Sequence, residues 1–407
     1  MRDKELYARI LGLIAPWVVE EVELFDDKKE VLIRIGLKGS IVLACPSCNE
    51  PMPGYDSRKR QWRHLDTCQY RTTIEADVPR GQCSLHGVRQ IGVPWAEGRS
   101  QFTALFERLV IDWLKGAAQS CVAERLGLSW DEVHGVMKRA VNRGLERRPE
   151  RCVSHIGVDE KSFGRHHDYV TVVCDGGQGD VLYVGDGRKK ESLDGFYQDL
   201  TPAQLAAVEA VSMDMWEPFI QSTQEHIPNA QDKIVFDKFH IVQHLNEAVD
   251  KVRRQEHKDL LGQGDSPLTG TKHLWLKNPL NFTPDNKRDF PSLRDSHLRT
   301  ARAWAIKQTA MALWGYTYVG AARRFFDQWY KWAIRSRLDP IKKVAKMMQD
   351  RLENILTHLK GRVTNAMAEG INSVIQWIKY TARGFRNRDN FKTAILFHLG
   401  GLDLYPH

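Results

Sequence analysis

Residues 154–175 read SHIGVDEKSFGRHHDYVTVVCD, and their pattern decides the fold class. SHIGVDE is a short run of small and β-branched apolar residues that ends in an acid, Asp159. DYVTVVCD repeats the pattern after a polar break, and VLYVGDG at 181–187 follows across small turn residues. Such runs favour the pleated, half-buried surface of a strand, and three in succession predict a meander. A helix is expected from Glu191 to about Leu200, and Thr201 and Pro202 then suit the N-cap and first position of a short helix. VEAVSMDM (208–215) reads as a strand, EPFIQSTQEHIP (217–228) as a helix and KIVFDKFH (233–240) as a further strand. The order β-β-β-α-β-α-β is that of an α/β domain.

The acids fall at telling places in this pattern. Asp159 ends the first strand, Asp214 ends the fourth, and Glu369 lies on a helical stretch beyond a long basic region. Adjacent strand ends bring Asp159 and Asp214 side by side, and a helix across the sheet can add Glu369. Three hard oxygen donors suit Mg²⁺ or Mn²⁺. Two such ions about 3.5–4 Å apart activate an attacking oxygen and stabilise the leaving oxygen of a phosphodiester. Lys379, Arg383, Arg386 and Arg388 follow Glu369 and are expected to hold a nucleic acid backbone. Single carboxylates at strand ends are common without any chemical role, so the reading rests on the three together. Glu160 and Asp237 compete with them; Asp237 also ends a strand and, with His240 in FDKFH, is placed to line the same site.

Toward the N-terminus the pattern is that of a short-stranded module with metal-ligand spacing. CPSC supplies Cys45 and Cys48, and CSLH supplies Cys83 and His86. Each knuckle offers two ligands from one tight turn, and zinc takes four N or S donors in a tetrahedron. His64 and Cys68 lie between the knuckles and are rival ligands. From about Gln101 the period becomes helical: FTALFERLVIDWLKG ends at Gly116, and two more helices are split by a turn at Gly127. Ser129 and Glu132 have the spacing of a capping box that opens the second of these. A short helix, a glycine turn and a longer helix carrying Lys138, Arg139 and Arg143 make the helix-turn-helix plan. An ordinary helical hairpin has the same pattern; the metal module before it and the acids after it favour DNA.

At 407 residues the chain exceeds one ordinary core, and two to four domains are expected. An apolar content of 42% and a charged content of 27% exclude a disordered or fibrous chain. A net charge of +8 favours an anionic partner, with nucleic acid first. No stretch approaches the ~20 uninterrupted apolar residues of a membrane span. Seven cysteines without a leader-like start predict reduced thiols in a cytosol. The stretch GQGDSPLTGTKHLWLKNPLNFTPDNKRDFPSLRD reads as an ordered loop region. RRFFDQWYKWAIRSRL is better explained by an amphipathic helix with an aromatic core face than by a clamp on a nucleic acid strand.

Several of these stretches together resemble one known family. CPSC with CSLH, IGVDEKSFGRHHDYVTVVCD, VSMDMWEPF, FDKFH, LTGTKHLWLKNP and TNAMAEGINSVIQWIKYTARGFRNRDNF are similar to the ISL3 family of bacterial insertion-sequence transposases, over nearly the whole chain. That resemblance implies a zinc-binding module over 1–100 and a helix-turn-helix region over 101–150. It implies a ribonuclease-H-like core over 151–240, a helical insertion over 241–355, and the core's last helix over 356–407 with the third carboxylate. It also implies a DDE triad at Asp159, Asp214 and Glu369, with two Mg²⁺ or Mn²⁺ ions, besides a structural Zn²⁺. The family usually has a Cys where His86 stands; His is a zinc ligand too. The implied partners are double-stranded DNA, as terminal inverted repeats and target, and further copies of the chain, as a homodimer or higher oligomer in the bacterial cytoplasm and nucleoid. A sequence-specific regulator and a structure-specific nuclease are the alternatives; neither calls for both the intact triad and the two DNA-reading modules.

Overall fold

The computed structural model describes residues 3–39, 41–164, 168–264, 266–361 and 366–406, without the side chains of 358, 360, 361 and 366–369. It divides into two compact units, Met1–Pro149 with Ile378–His407, and Glu150–Trp377.

The first unit begins with α1 (Asp3–Ile10) and the strands β1 (Trp17–Phe25) and β2 (Glu30–Leu37). There follow β3 (Leu43–Ala44), β4 (Pro51–Met52), β5 (Gly54–Arg63), β6 (Arg71–Cys83) and β7 (Gly87–Gln90). One mixed sheet has the order β1-β2-β6-β5 with β7 also on β6, and β3 pairs with β4 as a separate two-stranded hairpin. The expected short strands are therefore only part of the module, since β6 runs for 13 residues. Alternation explains its length: Ile74, Ala76 and Val78 turn one face into a core with Ile33, Ile35 and Trp62. Then come α2 (Ala104–Leu114), α3 (Gln119–Leu126) and α4 (Trp130–Glu146). Gly127, at φ 62°, closes α3 in the left-handed conformation, and Ser129 and Glu132 cap α4 reciprocally.

The second unit opens with β8 (His155–Ser162), β9 (Tyr169–Asp175) and β10 (Val181–Asp186), the expected meander. After α5 (Lys190–Gln198) and α6 (Pro202–Ala207) comes β11 (Ala210–Met213). Then α7 (Glu217–His226) and α8 (Ala230–Lys233) lead to β12 (Ile234–Phe236). The sheet order is β10-β9-β8-β11-β12; β8, β11 and β12 run parallel. Parallel strands covered on both faces need near-continuous apolar runs, which accounts for IVF and AVSM.

Helices then dominate: α9 (Lys238–Leu261), α10 (Lys272–Leu276), α11 (Pro284–Arg294), α12 (Arg299–Ala310), α13 (Val319–Arg335), α14 (Asp339–Asp350), α15 (Leu352–Gly361) and α16 (Ala366–Thr381). The stretch read as an ordered loop contains α10 and α11; Thr283 caps α11, and Pro284 sits near its start. In α13, Phe326, Trp329 and Ala333 are buried, so its aromatics form a core face. Sheet and helices of this unit share one apolar core from Ile156 to Leu356. The unit boundary falls within α16, and α17 (Arg388–Leu399) packs on α4 in the first unit. The segment 356–407, read from sequence as one piece, is thus divided between the units. Among the described residues, no helix is long and apolar enough to cross a membrane.

Candidate functional site

The parallel register builds the site. β11 pairs with β8 through Ser212↔Gly157, and with β12 through Met213↔Phe236. Carried on, this register sets Asp214 and Asp237, just past the ends of β11 and β12, level with Asp159, which lies within β8 and does not end it, because β8 stays paired with β9 as far as Ser162. The Asp237 amide donates to the Met213 carbonyl at 3.1 Å, which holds the row together. The carboxyl ends of parallel strands are the usual ligand position in such sheets. These three aspartates line one pocket with Lys161, His240, Cys174 and, from α16, Ile371 and Asn372. Gly157 belongs to the packing here: a Cβ on it would lie 2.7 Å from Cys174 Sγ.

Each carboxylate has fixed partners. Asp159 Oδ1 accepts from the Glu160 amide at 2.7 Å; its Oδ2 meets Lys161 Nζ at 2.5 Å and accepts from Asn372 Nδ2 at 3.2 Å. Asp214 Oδ1 accepts from the Met215 amide at 2.6 Å. Asp237 caps α9 by accepting from the Phe239 amide at 2.9 Å. His240 lies between two of them, with Nδ1 3.6 Å from Asp214 Oδ2 and Nε2 3.9 Å from Asp237 Oδ2. Glu160, the next residue along β8, has its carboxyl pushed up by burial; Arg188 opposes this, and Asp214 and Asp159 add to it. Arg188 sits 3.3 Å from Glu160, with the rings of Tyr169 and Trp216 4.5 and 4.6 Å away. Burial and the Asp159 charge keep the Cys174 thiol neutral, pushed up to about 12. Converging oxygen donors in excess over nearby cations fit a hard divalent ion.

Glu369 is within α16, but its side chain lies outside the described residues. Asp237 follows the end of β12 and, with His240, lines the same pocket, where its place in FDKFH put it. Lys161 and Asn372 escaped the sequence reading. Lys161 did leave a signal, because residues two apart on a strand share a face. Asn372 had none until α16 was docked on the sheet.

The second cluster is in the first unit. Ligand atoms of Cys45, Cys48, Cys83 and His86 all lie within 4.8 Å of one another. Cys45 and Cys48 come from the β3–β4 turn, while Cys83 ends β6 and His86 precedes β7. His86 Nδ1 is 3.7 Å from Cys45 Sγ and 3.5 Å from Cys83 Sγ, and Cys48 Sγ is 3.7 Å from Cys83 Sγ. A tetrahedron with metal–sulfur bonds of about 2.3 Å and metal–nitrogen bonds of about 2.0–2.1 Å has edges of roughly 3.5–3.8 Å. The four residues fit zinc. Burial works against ionising Cys45, but the amides of Ser47 and Cys48 and the Cys48 and Cys83 thiols outweigh it and bring it down to about 6. The rivals are elsewhere. His64 is buried against Thr103, its Nδ1 2.9 Å from the hydroxyl, and burial lowers it to about 4; Cys68 is exposed.

The basic residues divide. Lys138 is exposed on α4. Arg139 pairs with Glu107 at 2.6 Å and keeps about a third of its side chain in solvent. Arg143 corrects the sequence reading. It is buried, donating to Glu97 at 2.7 Å, to Glu107 at 3.1 Å and to the Leu404 carbonyl at 2.6 Å, so its donors are unavailable to a phosphate. Arg383, Arg386 and Arg388 are exposed, and Lys379 is half-buried.

Residues 156–395 match the ISL3-type DDE model described as a transposase. Residues 93–141 match the helix-turn-helix domain of transposase family ISL3, and residues 42–86 match the zinc-finger of the IS204/IS1001/IS1096/IS1165 transposases. The chain is 26% identical to the transposase for insertion sequence element IS1557 of Mycobacterium tuberculosis, over 98% of the chain and 96% of that protein. It is also 26% identical to the transposase for IS1001 of Bordetella parapertussis, over 96% of the chain and 97% of that protein.

Proposed function

The chain belongs to the ISL3 family of insertion-sequence transposases, and from that premise we propose how its own residues carry out strand transfer. It is a transposase, an enzyme that cuts and rejoins DNA, with zinc-ribbon, helix-turn-helix and DDE domains in that order. The observation that carries the residue assignment is the row of Asp159 and Asp214 on adjacent parallel strands, with α16 over it.

In this reading the second unit is a ribonuclease-H-like core, with the meander followed by β11 and β12, and helices α9–α15 form the insertion before α16. Asp159, Asp214 and Glu369 are the catalytic carboxylates. Asn372, three residues on from Glu369 in the sequence, reaches Asp159. Bound Mg²⁺ or Mn²⁺, as a pair, supplies Lewis-acid activation of the attacking oxygen and neutralises charge on the leaving oxygen. Asp159 is oriented for this by Asn372 and the Glu160 amide, and Asp214 by the Met215 amide and His240. Asp237 and His240 are positioning residues that hold Asp214. Water first attacks the phosphodiester at the element's end, which leaves a 5′ phosphate on the flank and frees the element's 3′ hydroxyl; that hydroxyl then attacks a target phosphodiester in line and expels the target's 3′ oxygen as a hydroxyl, with no protein–DNA covalent bond.

Cys45, Cys48, Cys83 and His86 hold a structural zinc, and α3 and α4 read the terminal inverted repeat. A homodimer or larger assembly holds two ends together, in the bacterial cytoplasm. The test is nicking of a labelled duplex bearing the element's end, in Mg²⁺ or Mn²⁺, by wild type and Asp214→Asn. Wild type nicks at the 3′ end, and the variant binds with similar affinity but nicks at least roughly 10²–10³-fold more slowly. Binding without nicking by wild type under either metal returns the chain to the class of DNA-binding regulators.

A further inference from the structure

We propose that the loop 382–388 is a second DNA-contacting element of the end-recognition unit, seated beside the reading end of α4 and gripping the phosphates that flank the site α4 reads. This rests on the end-binding role proposed above and specifies which DNA the loop meets. Sequence reading had associated these arginines with the strand held at the carboxylates.

The placement follows from contacts within the first unit. α17 packs along α4, with Asn390 near its start beside His134 and Asp389 within electrostatic reach of Lys138. Beyond its end, the Gly400 carbonyl accepts from Arg148 at 2.7 Å, and the Leu404 carbonyl accepts from Arg143 at 2.6 Å. Early residues of α17 thus meet the middle of α4, and later residues meet its C-terminal end. The two helices run in the same direction. The loop that precedes α17 therefore lies toward the N-terminal half of α4. In helix-turn-helix proteins that is the end which enters the major groove, while neighbouring elements contact the backbone.

The loop is built to present charge. Arg383 and Gly384 take successive left-handed conformations, φ 53° and 94°, and end α16 abruptly. Phe385 packs on the fully buried Phe391 at 5.1 Å between ring centres, and Asn387 caps α17 by accepting from the Asp389 amide at 2.7 Å. Arg383, Arg386 and Arg388 are left exposed on a pinned backbone, and exposed Lys138 stands on the neighbouring helix. The acid in this group, Asp389, is paired with Lys392 at 3.0 Å. A concentrated positive surface on a fixed frame suits the duplex backbone, and its arginines form bidentate bonds to phosphate.

The test uses the full-length protein and a duplex carrying one end of the element, with Arg386→Ala, Arg383→Asn (a residue that tolerates the left-handed backbone) and Lys138→Ala as variants. Unchanged zinc content and thermal midpoint certify their folding. Each arginine change should weaken end binding several-fold and lower the slope of log affinity against log salt by about 0.9 for each phosphate no longer neutralised. In ethylation interference, the phosphates that cease to matter in the arginine variants should adjoin those that cease to matter in Lys138→Ala. Unchanged affinity and slope in both arginine variants, beside weakened binding by Lys138→Ala, overturns the proposal. So does an effect confined to phosphates at the scissile bond. A wild type that fails to distinguish the end from a scrambled duplex brings down the end-binding role itself, a different failure from either of these.

Discussion

Asn372 is a single amide whose effect is felt through another residue. It donates to Asp159 Oδ2, the oxygen that Lys161 also meets. A carboxylate held from two sides presents its remaining lone pairs in one direction, and groups that orient ligands in this way typically alter metal affinity or activity by 10–100-fold, as an order of magnitude. Asn372→Ala is therefore expected to raise the Mg²⁺ or Mn²⁺ concentration for half-maximal nicking by roughly 10-fold or more while end binding stays the same. Titrating each metal against nicking rate checks this; an unchanged midpoint would make the contact incidental. That Asp159 and Asp214 come together was legible in sequence because each follows an apolar strand run, where a charge has little structural reason to be. Asn372 could not, because its meaning depends on a contact with Asp159, far away in sequence.

At the scale of elements, local chemistry was the legible part. The capping box Ser129–Glu132 forms in both directions, Thr201 caps α6 as its Thr-Pro pair implied, and Gly127 takes the positive φ that its place in the turn needs. The meander was legible because alternation and turn residues are short-range signals. The long pairings were not: β2 and β6 run parallel across intervening strands, and nothing local names that partner. The β3–β4 hairpin marks the limit of local reading in another way. Its core is four residues, Leu43, Cys45, Met52 and Cys83, two of them proposed zinc ligands. So small an apolar group cannot hold the turn, and metal binding there is folding free energy. Cys45→Ser, or exhaustive chelation, should release about one zinc per chain, loosen the 42–86 segment to protease and weaken end binding, whereas His86→Cys should keep the metal. Elemental analysis with limited proteolysis reads both effects, and unaltered zinc in Cys45→Ser would remove the site from these four residues.

For the whole molecule, the consequential feature is the return of the chain's last residues to the first unit. Residues 400–405 follow a helix that sequence reading grouped with the catalytic segment, yet they brace α4. Arg143 and Arg148 donate to carbonyls of Leu404 and Gly400, Arg147 donates to the Tyr405 carbonyl at 2.7 Å, and Lys115 donates to the Tyr405 hydroxyl at 2.6 Å. Leu402 fits against Gly144 so closely that a Cβ there would lie 2.6 Å from the leucine's own. A buried hydrogen bond from a charged donor contributes about 1.5–3 kcal/mol, and exposed ones less, so losing this set loosens the packing of α4. Truncation after Leu399 should therefore raise the dissociation constant for the element's end by at least roughly 10-fold, about 1.4 kcal/mol. Hydrogen exchange should quicken along α2 and α4 while the amides of β8, β9 and β11 keep their protection. Gly144→Ala should act in the same direction without shortening the chain, since Leu402 or the Asp403 carbonyl, 3.2 Å from the new carbon, must move. If exchange instead rises across the β8–β11 sheet and leaves α4 protected, the C-terminal residues serve the catalytic unit, and the division of the molecule at Ile378 does not describe how it holds together.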